Sequence, residues 1–238
     1  MKKLLGFRDF GVDVLVKLGG SLMKDVDAAR ELGEELSRLA KTNRVIVFPG
    51  GGEIDNYIEE IDRTLHFPPE IHHQACARAQ DQTGLMFSHL CPDSEVFTRP
   101  VELEPILDAG HAAIMLPMQQ IIDLDVFEKT WDITSDSCAA WFAKFFDASK
   151  FAIMTNVPGI YRPGDETKTY LTSVDTAEAI TMGHTSIDQC LAPYLEEADL
   201  TCTVLHGHDI ESVVGWFEGG AFKGTTVYPV ANSSRGSA

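Results

Sequence analysis

Short, unbroken apolar runs alternate along the chain with longer stretches in which apolar residues recur at helical spacing. The runs at 12–18, 44–48, 151–154 and 201–205 read as buried strands, and shorter ones at 95–97, 112–115 and 225–228 as further strands. Between them, 26–40 carries Leu32, Leu36 and Leu39 among charged residues, and 53–65 sets Ile54, Ile58 and Ile61 on one face. Both patterns predict amphipathic helices. Helices are also expected over 70–90, 102–109, 138–146, 176–182, 187–197 and 210–218, and an exposed hairpin or loop over 162–170, where Pro163-Gly164 stands among charges. Strands alternating with helices in this way predict the α/β class with a mostly parallel sheet. No repeat or linker divides the chain, so one domain over 1–230 is expected, with lobes at about 12–130 and 131–230. The small polar residues 231–238 read as a disordered tail.

Two of the strands run directly into glycines. Lys17-Leu18-Gly19-Gly20-Ser21 follows the first strand, and Pro49-Gly50-Gly51-Gly52 follows the second and leads into a helix at Glu53. Glycines let backbone N–H groups approach an anion closely, and a helix start adds its positive dipole end. A lysine at position 17 reaches the same anion, so the first unit reads as a phosphate cradle. Taken alone it is equally a tight turn beside an incidental lysine, because it matches neither the Walker A nor the dinucleotide fingerprint. In a parallel sheet both glycine loops lie at the carboxyl ends of strands, where α/β folds bind ligands. Thr134, Ser135 and Asp136 are natural N-caps for the helix that follows them.

Charge and cysteine usage narrow the class. A net charge of −17 argues against nucleic-acid binding, which needs a basic stripe. Five dispersed cysteines without a CxxC pair suggest reduced thiols in a cytoplasm. No apolar run approaches the roughly 18 residues of a membrane span, and Met1-Lys2-Lys3-Leu4-Leu5-Gly6 lacks the apolar core of a secretion signal. His72-His73 and His206-Gly207-His208 have metal-like spacing; they are read as structural, and no metal site is expected. Trp141, Phe142, Phe145 and Phe146 read as packing residues.

KLGGS, the PGGG loop and Thr134-Ser135-Asp136-Ser137-Cys138, in that order on βα junctions, resemble the amino acid kinase superfamily from Val14 to about Tyr228. That resemblance implies a three-layer α/β/α sandwich. Gly50-Gly51-Gly52-Glu53, Ile61-Asp62-Arg63-Thr64-Leu65, His73 and Trp131-x-Ile133-Thr134-Ser135-Asp136-Ser137 are similar to the aminomethylfuran phosphate kinases of methanofuran biosynthesis. Those enzymes transfer a phosphoryl group from ATP to a phosphate-bearing acceptor. By this resemblance Lys17 neutralises the transferring phosphoryl, and Gly19, Gly20, Ser21, Gly50, Gly51 and Gly52 hold phosphate oxygens. Asp136 positions Lys17, since an acceptor that is already ionised needs no general base. Glu53, Asp81 and Thr134 are expected at the acceptor, and Thr155, Asn156, Gly159, Tyr161 and Lys168 at ATP. Pro158 stands where relatives often have an aspartate, and Lys168 is the nearest candidate for a second lysine. Mg²⁺ is expected to be held chiefly by phosphate oxygens.

Two other readings share the fold. Asp81-x-x-Gly84-x-Met86 resembles the ribose-holding segment of UMP kinases, but Glu53 and Asp55 bring acid where those enzymes usually carry an arginine. A nucleotide-binding storage protein, like the molybdenum storage proteins, is the non-enzymatic alternative. The resemblance also implies a homo-oligomer, paired through a face bearing Ile71, Ala75, Ala79, Leu85 and Met86.

Overall fold

Strand β1 (Val14–Leu18) is buried along its whole length and lies near the middle of an eight-stranded sheet. The structure is a computed structural model that describes residues 10–165, 167 and 169–230. The expected tail at 231–238 and the contact from Lys168 therefore fall outside the described residues. The sheet order is β3-β4-β2-β1-β5-β7-β8-β6, comprising β2 (Val45–Pro49), β3 (Ser94–Phe97), β4 (Ala112–Met115), β5 (Lys150–Thr155), β6 (Ser173–Asp175), β7 (Cys202–His206) and β8 (Gly224–Tyr228). All neighbours pair in parallel except β7 and β8. The chain leaves β1 toward β2 and later returns to its other edge as β5. This reversal makes a topological switch point at β1.

Because successive strand residues face opposite sides, β1 serves two cores. Val14, Val16 and Leu18 pack with Leu32 and Leu36 of α1 (Val26–Ala40) and with Trp216 and Phe217 of α9 (Ile210–Glu218). Leu15 joins the opposite layer, where α6 (Ser135–Phe146) lays Phe142 and Phe146 against Phe48 and Phe151. The result is helix, sheet and helix in three layers, as the resemblance implied.

The periodic helices have the expected bounds at Val26–Ala40 and Glu53–Leu65 (α2), and the later ones at α7 (Thr176–Met182) and α9. Helix α3 (Pro69–Ser88) and α4 (Leu103–Asp108) fall within two residues of expectation. Residues 162–170 are flanked by an antiparallel Tyr161–Tyr170 bridge, consistent with a hairpin-like excursion. Three differences have tertiary causes. Helix α5 (Met118–Leu124) lacks a side-chain cap of its own; Asp81 of α3 accepts the Met118 N–H at 3.0 Å. Strand β6 is a short edge with only Val174 buried, too little to make a pattern. Helix α8 (Leu191–Ala198) starts later than 187 because Asp188 is turned toward α6.

Helix α2 has no fully buried residue: its apolar face rests on α3 at the rim and not on the sheet. The apolar face expected on α3 is divided. Ala79 is buried and Ala75 half-buried, while Ile71, Leu85 and Met86 are about half exposed.

Phe142 is fully buried among Phe48, Trp141 and Phe146. Phe142→Ala is expected to destabilise the fold by about 3–5 kcal/mol, seen as a lower denaturant midpoint at unchanged slope.

Candidate active site

Strand register brings the site together. Leu18 is paired with Pro49 on one side and Met154 on the other, so β1, β2 and β5 end at one level. The Gly19 N–H donates to the Met154 carbonyl at 2.7 Å and the Gly50 N–H to the Leu18 carbonyl at 2.8 Å. The two glycine loops then touch. A Cβ at Gly20 would lie 2.3 Å from Gly52 Cα, and one at Gly50 would stand 3.2 Å from Lys17 Cε and 3.0 Å from Ser135 Oγ. Gly52 has φ +62° and ψ −138°, a conformation open in practice to glycine alone. No side chain fits where these loops meet, and their backbone is left facing the cleft.

Lys17 has the parity of Leu15 and so projects to the α6 side of the sheet. Its Nζ lies 2.7 Å from Asp136 Oδ1, and both side chains are about nine-tenths buried. Thr134 caps α6, its hydroxyl accepting from Asp136 N at 3.3 Å. Beneath the cap lies Asp188, 2 % exposed. Its Oδ2 accepts from Thr134 N (3.0 Å), Thr134 Oγ1 (2.8 Å) and Ser137 N (3.1 Å). Its Oδ1 accepts from Ser137 Oγ (2.6 Å), Cys190 N (3.1 Å) and Leu191 N (2.8 Å). The Asp188 N–H in turn donates to Asp136 Oδ2 at 3.3 Å. Burial, with the Asp136 charge second, pushes the Asp188 carboxyl above its ordinary range, and the bonds from Ser137 and Thr134 oppose that. Asp188 thus ties the start of α6 to the loop before α8 and fixes where Asp136 holds the lysine.

The loops, Lys17 and the start of α6 form one end of a cleft of about 440 Å³. Two glycine loops, a lysine and a helix start in one place suit the oxygens of a phosphate chain. The other end is acidic and aromatic. Trp131 stacks on His72 with ring centroids 4.8 Å apart, and Asp62 accepts from Trp131 Nε1 at 2.7 Å and from Phe67 N at 2.6 Å. Asp55, from the first turn of α2, folds back over the second glycine loop: a Cβ at Gly51 would lie 2.1 Å from Asp55 Oδ2. The Gly51 backbone and the Cys76 thiol adjoin this carboxylate, while Asp55 Oδ1 and the nearby cleft-lining Gln80 Oε1 are buried without a partner. Burial raises the Asp55 carboxyl from 3.8 to about 6, against the pull of Cys76, Lys17 and Gly51.

Lys17, Gly19, Gly20, Ser21, Gly50, Gly51, Gly52, Glu53, Thr134 and Thr155 all line the cleft. Asp136 stands behind Lys17. Glu53 is exposed and paired with Lys24 at 2.8 Å, which lowers its pKa. Besides Asp136, four expected residues do not line the cleft. Asp81 faces the start of α5, and Asn156 is exposed on the loop after β5. Tyr161 pairs with Tyr170, and Gly159 is packed so that a Cβ would stand 2.4 Å from Thr225 Oγ1. Sequence reasoning missed Asp188, Gln80 and the Trp131–His72 wall. Gln80 is one helical step from Asp81, about 100° round α3. Asp188 sits in a segment read as ordinary helix, with no local sign that its partners lie on α6. Among the described residues no group of three or more side chains is arranged to hold a metal. All five cysteines are free thiols, and no described helix is long and apolar enough to cross a membrane.

The Asp55 carboxyl holds its proton to about pH 6 in the fold, against 3.8 when unperturbed. Over that interval the folded protein binds more protons than the unfolded chain, so stability falls as pH rises. The contribution is fully present below about pH 3.8 and lost by about pH 6; two pK units correspond to about 3 kcal/mol. Asp55→Asn is therefore expected to stabilise the protein at pH 7–8 by up to that amount and to change little near pH 4. Thermal unfolding at the two pH values measures the difference.

Comparisons with known sequences and structures show the family and the fold. A curated relative, [5-(aminomethyl)furan-3-yl]methyl phosphate kinase from Methanocaldococcus jannaschii, is 29% identical over 209 residues, covering 86% of this chain and 93% of its own. Acetylglutamate kinase from Clostridioides difficile is 24% identical over 203 residues, 69% of this chain and 70% of the relative. Among solved structures, uridylate kinase from Archaeoglobus fulgidus superposes with a TM-score of 0.71 at 22% identity, over 91% of this chain and 100% of that one. The sequence profile of the amino acid kinase family matches residues 14–206, and the chain, with its two glycine loops and paired lysine and aspartate, belongs to that family.

Proposed function

We propose that this phosphotransferase moves the γ-phosphoryl group of Mg-ATP onto a small acceptor that already bears a phosphate, and that [5-(aminomethyl)furan-3-yl]methyl phosphate, the substrate in the relative's name, is that acceptor. The observation that carries the reading is the buried Lys17–Asp136 pair set between two glycine loops that meet without side chains. Lys17 neutralises charge on the transferring group, and the loop N–H groups and α6 start stabilise its equatorial oxygens. Asp136, held by the Asp188 network, positions Lys17 and takes no proton. Mg²⁺ enters on the nucleotide's phosphate oxygens. Thr155 meets the nucleotide at the cleft, with Asn156, Gly159 and Tyr161 shaping the loop behind it. Glu53 and Asp55 stand after the second glycine loop where UMP kinases usually carry an arginine, which speaks against UMP, and the stacked Trp131–His72 wall suits a flat heteroaromatic ring.

Calorimetry with ATP in saturating Mg²⁺, followed by ³¹P detection of a diphosphate product, tests this reading; no ATP binding overturns it. Lys17→Ala is expected to lower kcat by roughly 10²–10³ while ATP affinity changes much less. Because that variant leaves Asp136 as an unpaired buried charge, Lys17→Met combined with Asp136→Asn provides a charge-balanced check on folding. Asp136→Asn alone retains the backbone geometry and is expected to slow the chemical step. Wild-type turnover by folded Lys17→Ala and Asp136→Asn would remove the site from the reaction.

We further infer self-association through the rim helices. Ile71, Leu85 and Met86 on α3 and Tyr57 and Leu65 on α2 are each half or more exposed, an apolar surface of the kind that partners cover. Light scattering at micromolar concentration is expected to give at least twice the 26.2 kDa chain mass, and the monomer mass would refute the inference.

A further inference from the structure

Asp55 stands where an anion-binding loop ought to be free. Its carboxylate lies on Gly51, lines the cleft and keeps one buried oxygen, Oδ1, without a partner. From β1, Lys17 acts on it; from α3, the Cys76 thiol adjoins it; from α2 itself, Glu59 lines the same wall one turn further on; from α6, Asp136 already engages the lysine. The positive charge within reach is therefore committed, and Asp55 cannot rely on it. A phosphate-bearing acceptor brought to the glycine loops meets this carboxylate directly. Two anions at that distance in a buried site do not both stay ionised.

We propose that Asp55 is the residue that receives the acceptor's phosphate, sharing one proton with it, so that the acceptor binds with uptake of a proton from solvent. This rests on the kinase reading above and specifies how its acceptor is held. Oδ1 is enclosed by the protein, so the proton sits on Oδ2, from which it is donated to a phosphate oxygen. The carboxyl's raised pKa, about 6, is close to the second pKa of a phosphate monoester, roughly 6. Matched pKa values make the proton equally at home on either group. During transfer the proton rests on Asp55. An unprotonated acceptor oxygen forms the new bond to the γ-phosphorus as the bond from γ-phosphorus to the β,γ-bridging oxygen breaks, giving a diphosphate and ADP. No proton is gained or lost in that step. Asp55 is thus neutral when the two phosphates meet, which removes one negative charge from beside the transferring group.

The test uses [5-(aminomethyl)furan-3-yl]methyl phosphate as probe, without ATP for binding and with Mg-ATP for turnover. Calorimetry at pH 7.5 in two buffers of different ionisation enthalpy reads the proton taken up. Wild type is expected to take up close to one proton per acceptor bound and Asp55→Asn close to none. Between pH 7 and 8 the acceptor KM of wild type should rise roughly tenfold, the slope for one required proton, while that of Asp55→Asn stays level and KM for ATP is unchanged in both. Asp55→Ser, which also lacks the titrating group, should behave like the asparagine variant in proton uptake. A side chain needed only for folding would not change the proton count. Turnover by wild type without proton uptake, or with parallel pH profiles in wild type and Asp55→Asn, overturns the role of Asp55 and leaves the kinase reading intact. Proton-coupled binding that Asp55→Asn abolishes, without phosphoryl transfer, upholds Asp55 and overturns the kinase reading. Absence of acceptor binding overturns both.

Discussion

The buried ion pair between Lys17 and Asp136 is the constraint around which the site is arranged. An ammonium and a carboxylate taken out of water cost more than their attraction returns unless neighbouring groups complete the shell. Here the shell is Asp188, which gathers the N–H and hydroxyl groups of Thr134 and Ser137 and returns its own N–H to Asp136. Two further bonds, from the Cys190 and Leu191 N–H groups, tie down the start of α8. A single buried carboxylate thus couples the first strand, the central helix and the carboxyl-terminal half. Such a network holds a charge in one place more reliably than an exposed lysine would, which is what phosphoryl transfer asks of a protein.

Close backbone approach is the second constraint. Gly20 and Gly52 come so near that neither tolerates a Cβ, and Gly50 is pressed between Lys17 and Ser135. The sheet imposes this: parallel pairing in register ends β1, β2 and β5 together, so their loops must share one small volume. Glycine is used there for space as much as for its dihedral freedom. The cleft that opens in front is asymmetric, with backbone donors and a lysine at one end, Glu59, His72 and Trp131 at the other, and Asp55 laid over Gly51 between them. The second end adds a stacked aromatic pair to its carboxylate.

Much of this was legible in the residues. Parallel strands buried on both faces appear as solid apolar runs, and surface helices as a regular apolar stripe; both signals are local, so α1, α2, α7 and α9 were readable to their ends. The glycine loops and Lys17 were readable because they are contiguous with their strands. Thr134 was readable as a cap because a cap acts on its own helix. Asp81 was read for its resemblance to a ribose-holding motif, yet its side chain serves α5, from a different part of the chain.

What the sequence determined by itself was therefore the set of elements, their parallel layering and the chemistry at the strand ends, since each depends on residues adjacent along the chain. Tertiary structure decided which side chains meet. It brought Asp188 beneath a helix far from it in sequence, turned Gln80 and not Asp81 to the cleft, supplied α5 with a cap from α3, and folded Asp55 over Gly51. Each of these is a contact between elements, set by strand order and helix rotation. Neither leaves a mark in the residues on either side.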